Sequence, residues 1–137
     1  MQYSFKNMMD IGGILIGNDK PCYIIAEIGI NHNGDIALAK KLIDVATNAG
    51  ANAVKFQKRD LESIYQQKIL ENPSLDSQGT EILIDVLKNV EFGEDDFQEI
   101  VNYCKEKKIT FLCTPWDIPS ANFLEKLDVP AYKIASA

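Results

Sequence analysis

Six polar side chains interrupt or end apolar runs that are typical of buried strands. They are Glu27, Lys55, Gln57, Thr114, Lys133 and Ser136. Lys55 lies between Val54 and Phe56, where a charged side chain is unusual. Lysine ammonium groups with hydroxyl groups beside them can bind a small, strongly negative molecule through charge-assisted hydrogen bonds. These residues therefore indicate an anion-binding site.

Each of these residues also has a structural interpretation. Lysines can extend from strand ends to solvent, and hydroxyl groups often satisfy the backbone there. Glu27 is costly in an apolar run unless it is paired or faces a cavity, and the polar turn at 31–34 could form the rim of such a cavity. His32 is the single histidine and has no partner at metal-ligand spacing, so we expect it to order this turn.

Strands and helices alternate along the first half of the chain. The run at 22–26 predicts a strand buried on both faces, as in a parallel sheet. A helix at 36–49 should begin after Asp35 and end at Gly50. A second strand at 53–57 completes a strand-helix-strand unit whose crossover should be right-handed. Ahead of this unit, apolar runs at 11–16 and 22–28 suggest a short strand or a hairpin arm.

The second half repeats the alternation after a long connection. Residues 58–92 are mostly polar, with a possible helix at 81–87, and connections this long are usually functional or mobile. An amphipathic helix follows, with acidic residues in its first turn and lysines at its end, as the helix dipole favours. We then predict a strand at 109–113, an exit loop at 114–117, a helix at 120–127 and a fourth strand at 131–135.

Repeated strand-helix units allow an open doubly wound sheet or a closed TIM-type (β/α)8 barrel. The candidate site residues fall at the carboxyl ends of successive predicted strands, where barrel enzymes place their chemistry. The loop at 29–34 does not fit the dinucleotide-binding fingerprint expected of the open sheet. The barrel is therefore favoured, with about its first four βα units at 22–137 and an N-terminal extension or hairpin arm at 1–21.

Composition excludes some partners. The chain has 137 residues, 46% of them hydrophobic, and a net charge of -6. This charge disfavours binding to nucleic acid or to an anionic membrane. We expect no signal peptide and no membrane-spanning helix. Cys22, Cys104 and Cys113 predict reduced thiols in the cytoplasm, with one disulfide as the weaker alternative.

Four motifs in order resemble the sialic acid synthase family, which condenses phosphoenolpyruvate with an N-acyl aminohexose such as N-acetylmannosamine. They are Ile-Ala-Glu-Ile-Gly-Ile-Asn-His-Asn-Gly-Asp at 25–35, Ala-Gly-Ala-Asn-Ala-Val-Lys-Phe-Gln at 49–57, Thr-Pro-Trp-Asp at 114–117 and Pro-Ala-Tyr-Lys-Ile-Ala-Ser at 130–136. The resemblance covers nearly the whole chain from residue 22.

The resemblance implies a role for each candidate residue. Phosphoenolpyruvate would be bound through its phosphate and carboxylate by Lys55, Thr114, Lys133 and Ser136. Glu27 would act as a catalytic residue, and Glu27 and Gln57 would face the reacting centre and the sugar. The family also implies a divalent metal, typically manganese, that polarises the sugar aldehyde. Its histidine ligands are expected outside this chain.

The chain is short for a complete barrel, which needs about 250 residues. We therefore expect a truncated family member whose open strand edges favour a homo-oligomer or other association. Two alternatives remain. A lysine on a barrel strand also suits a Schiff-base aldolase that acts on pyruvate. A non-catalytic half-barrel that binds anions is the other alternative.

Overall fold

The computed structural model describes residues 8–75 and 81–136, and its first element is an antiparallel hairpin. Strands β1 (Met8–Ile11) and β2 (Ile14–Gly17) pair directly. Gly12 and Gly13 form the turn with φ of 61° and 86°, as a two-residue hairpin turn requires. A hairpin is therefore present in the predicted N-terminal arm, but the run at 11–16 is not one of its strands, because the turn lies inside that run. Residues 1–7 of the predicted arm lie outside the described residues.

A parallel sheet of three strands follows in the order β3-β4-β5. Its strands are β3 (Ile25–Gly29), β4 (Ala53–Lys58) and β5 (Thr110–Pro115). Glu27 lies opposite Lys55, and Lys55 lies opposite Leu112. The prediction of a parallel α/β sheet is confirmed. The predicted strand at 22–26 is not buried on both faces, however, since Ile24 and Ile25 are about half exposed at the edge of the sheet.

Helix α1 (Ile36–Asn48) joins β3 to β4 as the sequence predicted. The Asp35 carboxylate caps it by accepting hydrogen bonds from the N–H groups of Ala37 and Leu38, at 2.7 and 3.2 Å. Gly50 follows the helix with φ of 81°, where only glycine is free of strain. The predicted start and end of this helix are therefore confirmed.

The connection after β4 contains several short elements. They are α2 (Leu61–Ile64), α3 (Gln67–Glu71), a 3-10 turn (Pro73–Leu75) and α4 (Glu81–Val90). The possible helix at 81–87 is confirmed and extends to Val90. The shorter elements were not predicted, because their sequences show no clear hydrophobic period.

Helix α5 (Glu94–Lys107) precedes β5, and α6 (Ile118–Lys126) follows it. The acidic start and basic end predicted for α5 are confirmed. Two boundaries differ from the prediction. Thr114 and Pro115 belong to β5 rather than to its exit loop, and α6 begins at Ile118 because Asp117 is its capping residue. No helix among the described residues is both long and apolar enough to span a bilayer.

The predicted fourth strand at 131–135 is wrong in this structure. Only Tyr132 makes a parallel bridge, with Cys113 of β5. One bridge does not define a strand, which needs a continuous ladder of hydrogen bonds with its neighbour. Lys133 and Ser136 therefore lie on an irregular segment and are exposed.

The hydrophobic core lies between the helices and one face of the sheet. Val54 and Phe56 of β4 and Phe111 and Cys113 of β5 point to this side. Because side chains alternate along a strand, Glu27, Lys55 and Leu112 share the other face. The core thus fixes the strands that carry the candidate site residues.

Candidate functional site

Lys55 is the centre of the candidate site. Its ammonium group forms an ion pair with the Glu27 carboxylate on β3. It also lies 3.4 Å from the Thr114 hydroxyl on β5, to which it can donate a hydrogen bond. The Lys55 side chain is only 14% exposed, whereas the Glu27 side chain is 49% exposed. Three of the six predicted residues therefore meet on three adjacent strands.

Lys55 and Glu27 border a cleft of about 310 Å³ between the sheet and the C-terminal segment. Lys133 lines the same cleft, although its ammonium group contacts the carbonyl of Ile134 and lies at the surface. The other three predicted residues, Gln57, Thr114 and Ser136, do not line it. The lining of the cleft is mostly apolar with three charged side chains, which suits a small polar molecule. Its lining residues are Ile11, Ile25, Glu27, Lys55, Leu112, Ala131, Tyr132 and Lys133.

A larger cleft of about 370 Å³ lies at the opposite, amino end of β5. It is lined by Gly12 of the hairpin and by the ends of α5 and α6. None of the six predicted site residues borders it. The size of a cleft is therefore a poor guide to the chemistry of this molecule.

Gly29 allows Gln57 to approach Glu27. The strand pairing shifts between Glu27 and Gly29, and Gly29 has φ of 58°. A Cβ atom at Gly29 would lie 3.4 Å from both Gln57 Nε2 and Glu27 Oε1. Both side chains thus border the same small space. Gln57 lies two residues beyond Lys55 on β4, opposite Thr114.

Gln57 is also contacted by Arg59, a residue that the sequence did not indicate. Arg59 Nη2 donates to Gln57 Oε1 at 2.6 Å. The guanidinium group lies over the Trp116 ring, 4.3 Å from its centroid, as cation-π contacts favour. Glu91 completes this group, with Oε1 at 3.6 Å from Arg59 Nη1 and Oε2 accepting from the Arg59 backbone N–H at 3.3 Å. Burial raises the pKa of Glu91, which the neighbouring Lys58 and Arg59 partly oppose.

Asp117 holds the exits of β4 and β5 together. One carboxylate oxygen accepts from the Ser120 N–H at 2.6 Å and the other from the Asp60 N–H at 2.7 Å. The Trp116 N–H also donates to the Lys58 carbonyl at 3.1 Å. Asp117 belongs to a motif that the sequence singled out, but its partner Asp60 is 57 residues away. The carboxyl ends of two strands are thereby fixed relative to each other.

His32 orders the turn after β3, as predicted. It is 2% exposed, and its ring stacks on Phe92 with centroids 3.9 Å apart. Its Nδ1 atom accepts from the Gly34 N–H at 3.2 Å. Burial lowers the pKa of His32, and a backbone hydrogen bond at Gly29 partly opposes this. The stacking and the accepted hydrogen bond both give the imidazole a structural role.

The three thiols are unpaired, so the alternative of one disulfide is not observed. Cys104 and Cys113 are buried, and burial raises the pKa of each thiol. Buried thiols in apolar surroundings react slowly because the thiolate is disfavoured. Cys22 is exposed.

The fold and the site define a class of protein, a parallel α/β domain with charged side chains gathered on one face of adjacent strands. Glu27 and Lys55 lie in the middle of β3 and β4, not at the carboxyl ends where they were predicted. Comparison with known proteins specifies it further. The chain belongs to the NeuB family, whose model matches residues 42–137.

Relatives within this family have related names. The chain is 40% identical over 126 residues to N-acetylneuraminate-9-phosphate synthase of Mus musculus, covering 90% of this chain and 35% of the mouse protein. It is 35% identical over 119 residues to N,N'-diacetyllegionaminic acid synthase of Campylobacter jejuni, covering 85% and 36%.

A crystal structure of N-acetylneuraminic acid (sialic acid) synthetase from Leptospira borgpetersenii, in complex with citrate, superposes with a TM-score of 0.78 at 35% identity. The match covers 93% of this chain and 40% of the Leptospira chain. The chain spans about a third of the length of the curated relatives that it matches.

Proposed function

We propose that this chain supplies the phosphoenolpyruvate-binding part of a sialic acid synthase-type enzyme. The reaction would join phosphoenolpyruvate to an N-acyl aminohexose such as N-acetylmannosamine, giving a nonulosonic acid and inorganic phosphate. The observation that carries the proposal is the position of Lys55, which contacts Glu27 and Thr114 and lines the cleft together with Glu27. The names of the family relatives support it.

Phosphoenolpyruvate carries several negative charges in a small volume. Lys55 would pair with one of its anionic groups and Thr114 would donate a hydrogen bond, since both lie on neighbouring strands. Lys133 lines the same cleft and would add a second positive charge. Ser136 would have to move from its exposed position to take part.

Glu27 would act on the reacting carbons. As C3 of phosphoenolpyruvate attacks the sugar aldehyde, positive charge develops at C2 and negative charge at the aldehyde oxygen. A carboxylate can stabilise the charge at C2 or accept a proton from the water that adds there. Glu27 is half exposed and borders the cleft, so it can reach a bound molecule. Gln57 would contact the sugar.

The family resemblance also implies a divalent metal, with manganese as our expectation. Within 8–75 and 81–136, no three histidine, cysteine, aspartate or glutamate side chains come together as a ligand set. The described residues therefore do not fit the metal, and we derive no step through it. We propose that the ligands of the metal are residues outside this chain.

We further propose that the described elements form the first units of a (β/α)8 barrel. The Cys113–Tyr132 bridge supports this, because it sets the C-terminal segment beside β5 where a fourth parallel strand would lie. Open edges of the sheet favour association with the rest of the barrel or with another copy. The unpaired thiols support a location in the reducing cytoplasm.

Thermal unfolding with and without phosphoenolpyruvate tests the proposal. The ligand should raise the melting temperature, and N-acetylmannosamine alone should not. Lys55→Ala or Lys133→Ala should weaken binding by roughly 1.5 to 3 kcal/mol, the size of a hydrogen bond to a charged group. The matched control is Lys40→Ala, which removes another glutamate-paired lysine, 2.6 Å from Glu99 on the outer helices. Equal ligand shifts in the wild type and both site variants would contradict the site assignment.

The aldolase alternative has its own test. Borohydride reduction with pyruvate should leave both lysines unlabelled if the proposed condensation is correct. Irreversible labelling of Lys55 or Lys133 by pyruvate would instead establish imine chemistry.

A further inference from the structure

We infer that Arg59 is a positioning residue that fixes the amide of Gln57, so that its NH₂ group rather than its oxygen faces the substrate. The inference deepens the proposed function and rests on it, because Gln57 matters to catalysis only if it contacts the sugar. It also assigns a chemical preference to the site, namely an acceptor oxygen on the sugar.

The orientation of the amide follows from the chemistry of its neighbour. A guanidinium group has five N–H donors and no acceptor. The amide atom that faces Arg59 at 2.6 Å must therefore be the oxygen. The Gln57 NH₂ group then points away from Arg59, toward the space beside Gly29 and Glu27, within 3.4 Å of where a Gly29 Cβ would lie.

Arg59 can hold this orientation because Trp116 and Glu91 restrict its own side chain. Trp116 lies against its planar face, and Glu91 contacts both its guanidinium and its backbone N–H. Its side chain is only 10% exposed. A side chain so restricted loses little further freedom when it orients a neighbour, which is how supporting residues preorganise a site.

A fixed NH₂ group discriminates among substrate groups. It donates well to a hydroxyl or N-acyl carbonyl oxygen and poorly to a group that can only donate. An unrestrained glutamine could turn its amide over and accept instead, at little cost. Arg59 would therefore increase the preference of the site for a sugar that presents an acceptor oxygen at this point, without touching the sugar itself.

The test is a double-mutant cycle in the natural polypeptide that carries these residues, with phosphate release as the assay. Gln57→Leu should raise the KM for N-acetylmannosamine by about tenfold, the size of one hydrogen bond. Arg59→Met should raise it by about twofold, because an amide free to turn over still presents its NH₂ group about half of the time. The KM for phosphoenolpyruvate should stay unchanged in both. The double variant should be no worse than Gln57→Leu alone, because Arg59 acts only through the amide.

Lys58→Met is the matched control. Lys58 also approaches Glu91, at 4.0 Å, and donates to the Arg59 backbone carbonyl at 2.9 Å, but it makes no hydrogen bond to Gln57 and its ammonium group lies over Phe97. The sugar KM should not change in this variant. An equal rise would show that the effect arises from the charge balance at Glu91, and it would overturn the inference. Multiplied effects in the double variant would also overturn it.

A second measurement distinguishes a failure of the Arg59 positioning role from a failure of the proposed function. The side-chain ¹⁵N signal of Gln57 should move when Arg59 is replaced by methionine and should stay in place when Lys58 is replaced. If the wild-type protein releases no phosphate with the sugar, the proposed function fails, and this signal still decides whether Arg59 sets the amide. An unchanged Gln57 signal in Arg59→Met would overturn the positioning role.

Discussion

Replacing Gly34 by alanine should destabilise the protein by two separable effects. Gly34 ends the turn after β3 with φ of 73°, and an added Cβ atom would lie 2.5 Å from the backbone carbonyl oxygen of Asn89 in α4. A side chain in the left-handed region costs about 1 to 2 kcal/mol. Crowding against a backbone atom that cannot rotate away adds about 1 to 3 kcal/mol, as in overpacked cores. We therefore expect a total loss of about 2 to 5 kcal/mol.

Gly50→Ala shows the first effect alone, so the difference between the two variants gives the second. Gly50 has a similar φ of 81°, but an added Cβ atom would meet nothing within 4 Å. Gly50→Ala should lose only the stability that a side chain costs in the left-handed backbone conformation. The gain from a less flexible unfolded chain, about 0.4 to 1 kcal/mol for glycine to alanine, is common to both variants and cancels in their difference.

Urea unfolding of the wild type and both variants measures the difference. The midpoint should fall further for Gly34→Ala, with the slope unchanged. Backbone amide exchange near Asn89 should become faster in Gly34→Ala and not in Gly50→Ala, because the displaced atoms belong to α4. Equal losses of stability in the two variants would refute the argument that contact with Asn89 decides the cost.

Two further predictions concern ionisable groups. Glu27→Gln should lower turnover by roughly 100-fold or more while phosphoenolpyruvate binding is nearly kept, since it removes charge but not shape; equal loss of both would make Glu27 a ground-state or structural residue. Because burial lowers the pKa of His32 below 6.5, the unfolded chain binds more protons, and the free energy of unfolding should decrease as pH falls through 6.5. The limiting slope is about 1.4 kcal/mol per pH unit. The raised pKa of Glu91 has the opposite effect on the free energy of unfolding. The measurement is therefore the difference in the free energy of unfolding between wild type and His32→Gln as the pH changes. A parallel pH dependence in the two proteins would contradict the prediction.

The elements with strong local signals could be predicted from the sequence. Helix α1 has an aspartate cap and a terminal glycine, and α5 has an acidic start and a basic end. Strand β4 follows α1 after a short loop and contains the apolar residues Ala53, Val54 and Phe56. The meeting of Glu27, Lys55 and Thr114 was expected from their places on successive predicted strands, although Glu27 and Lys55 lie in the middle of β3 and β4 and not at their carboxyl ends. The catalytic and binding roles of all six residues remain predictions.

The failures have a common physical cause. Residues 131–135 have the composition of a strand, yet a strand forms only where a neighbour completes its ladder, and here only Tyr132 is bridged. The contact between Arg59 and Glu91 joins residues 32 positions apart across a polar stretch. No short-range pattern marks such a pair. Contacts of this kind are set by tertiary packing, which a single sequence does not display.

The Arg59–Glu91 contact also has a consequence for how this protein can be altered. It joins Arg59, the first residue after β4, to Glu91, three positions before α5 begins, so the two ends of that excursion meet whatever lies between them. Closing a loop costs little more free energy as the loop lengthens, about 0.6 kcal/mol for each doubling. Insertions, deletions or grafted peptides at 61–75 should therefore leave the sheet in place. That region is a natural attachment point for engineered recognition segments beside the site.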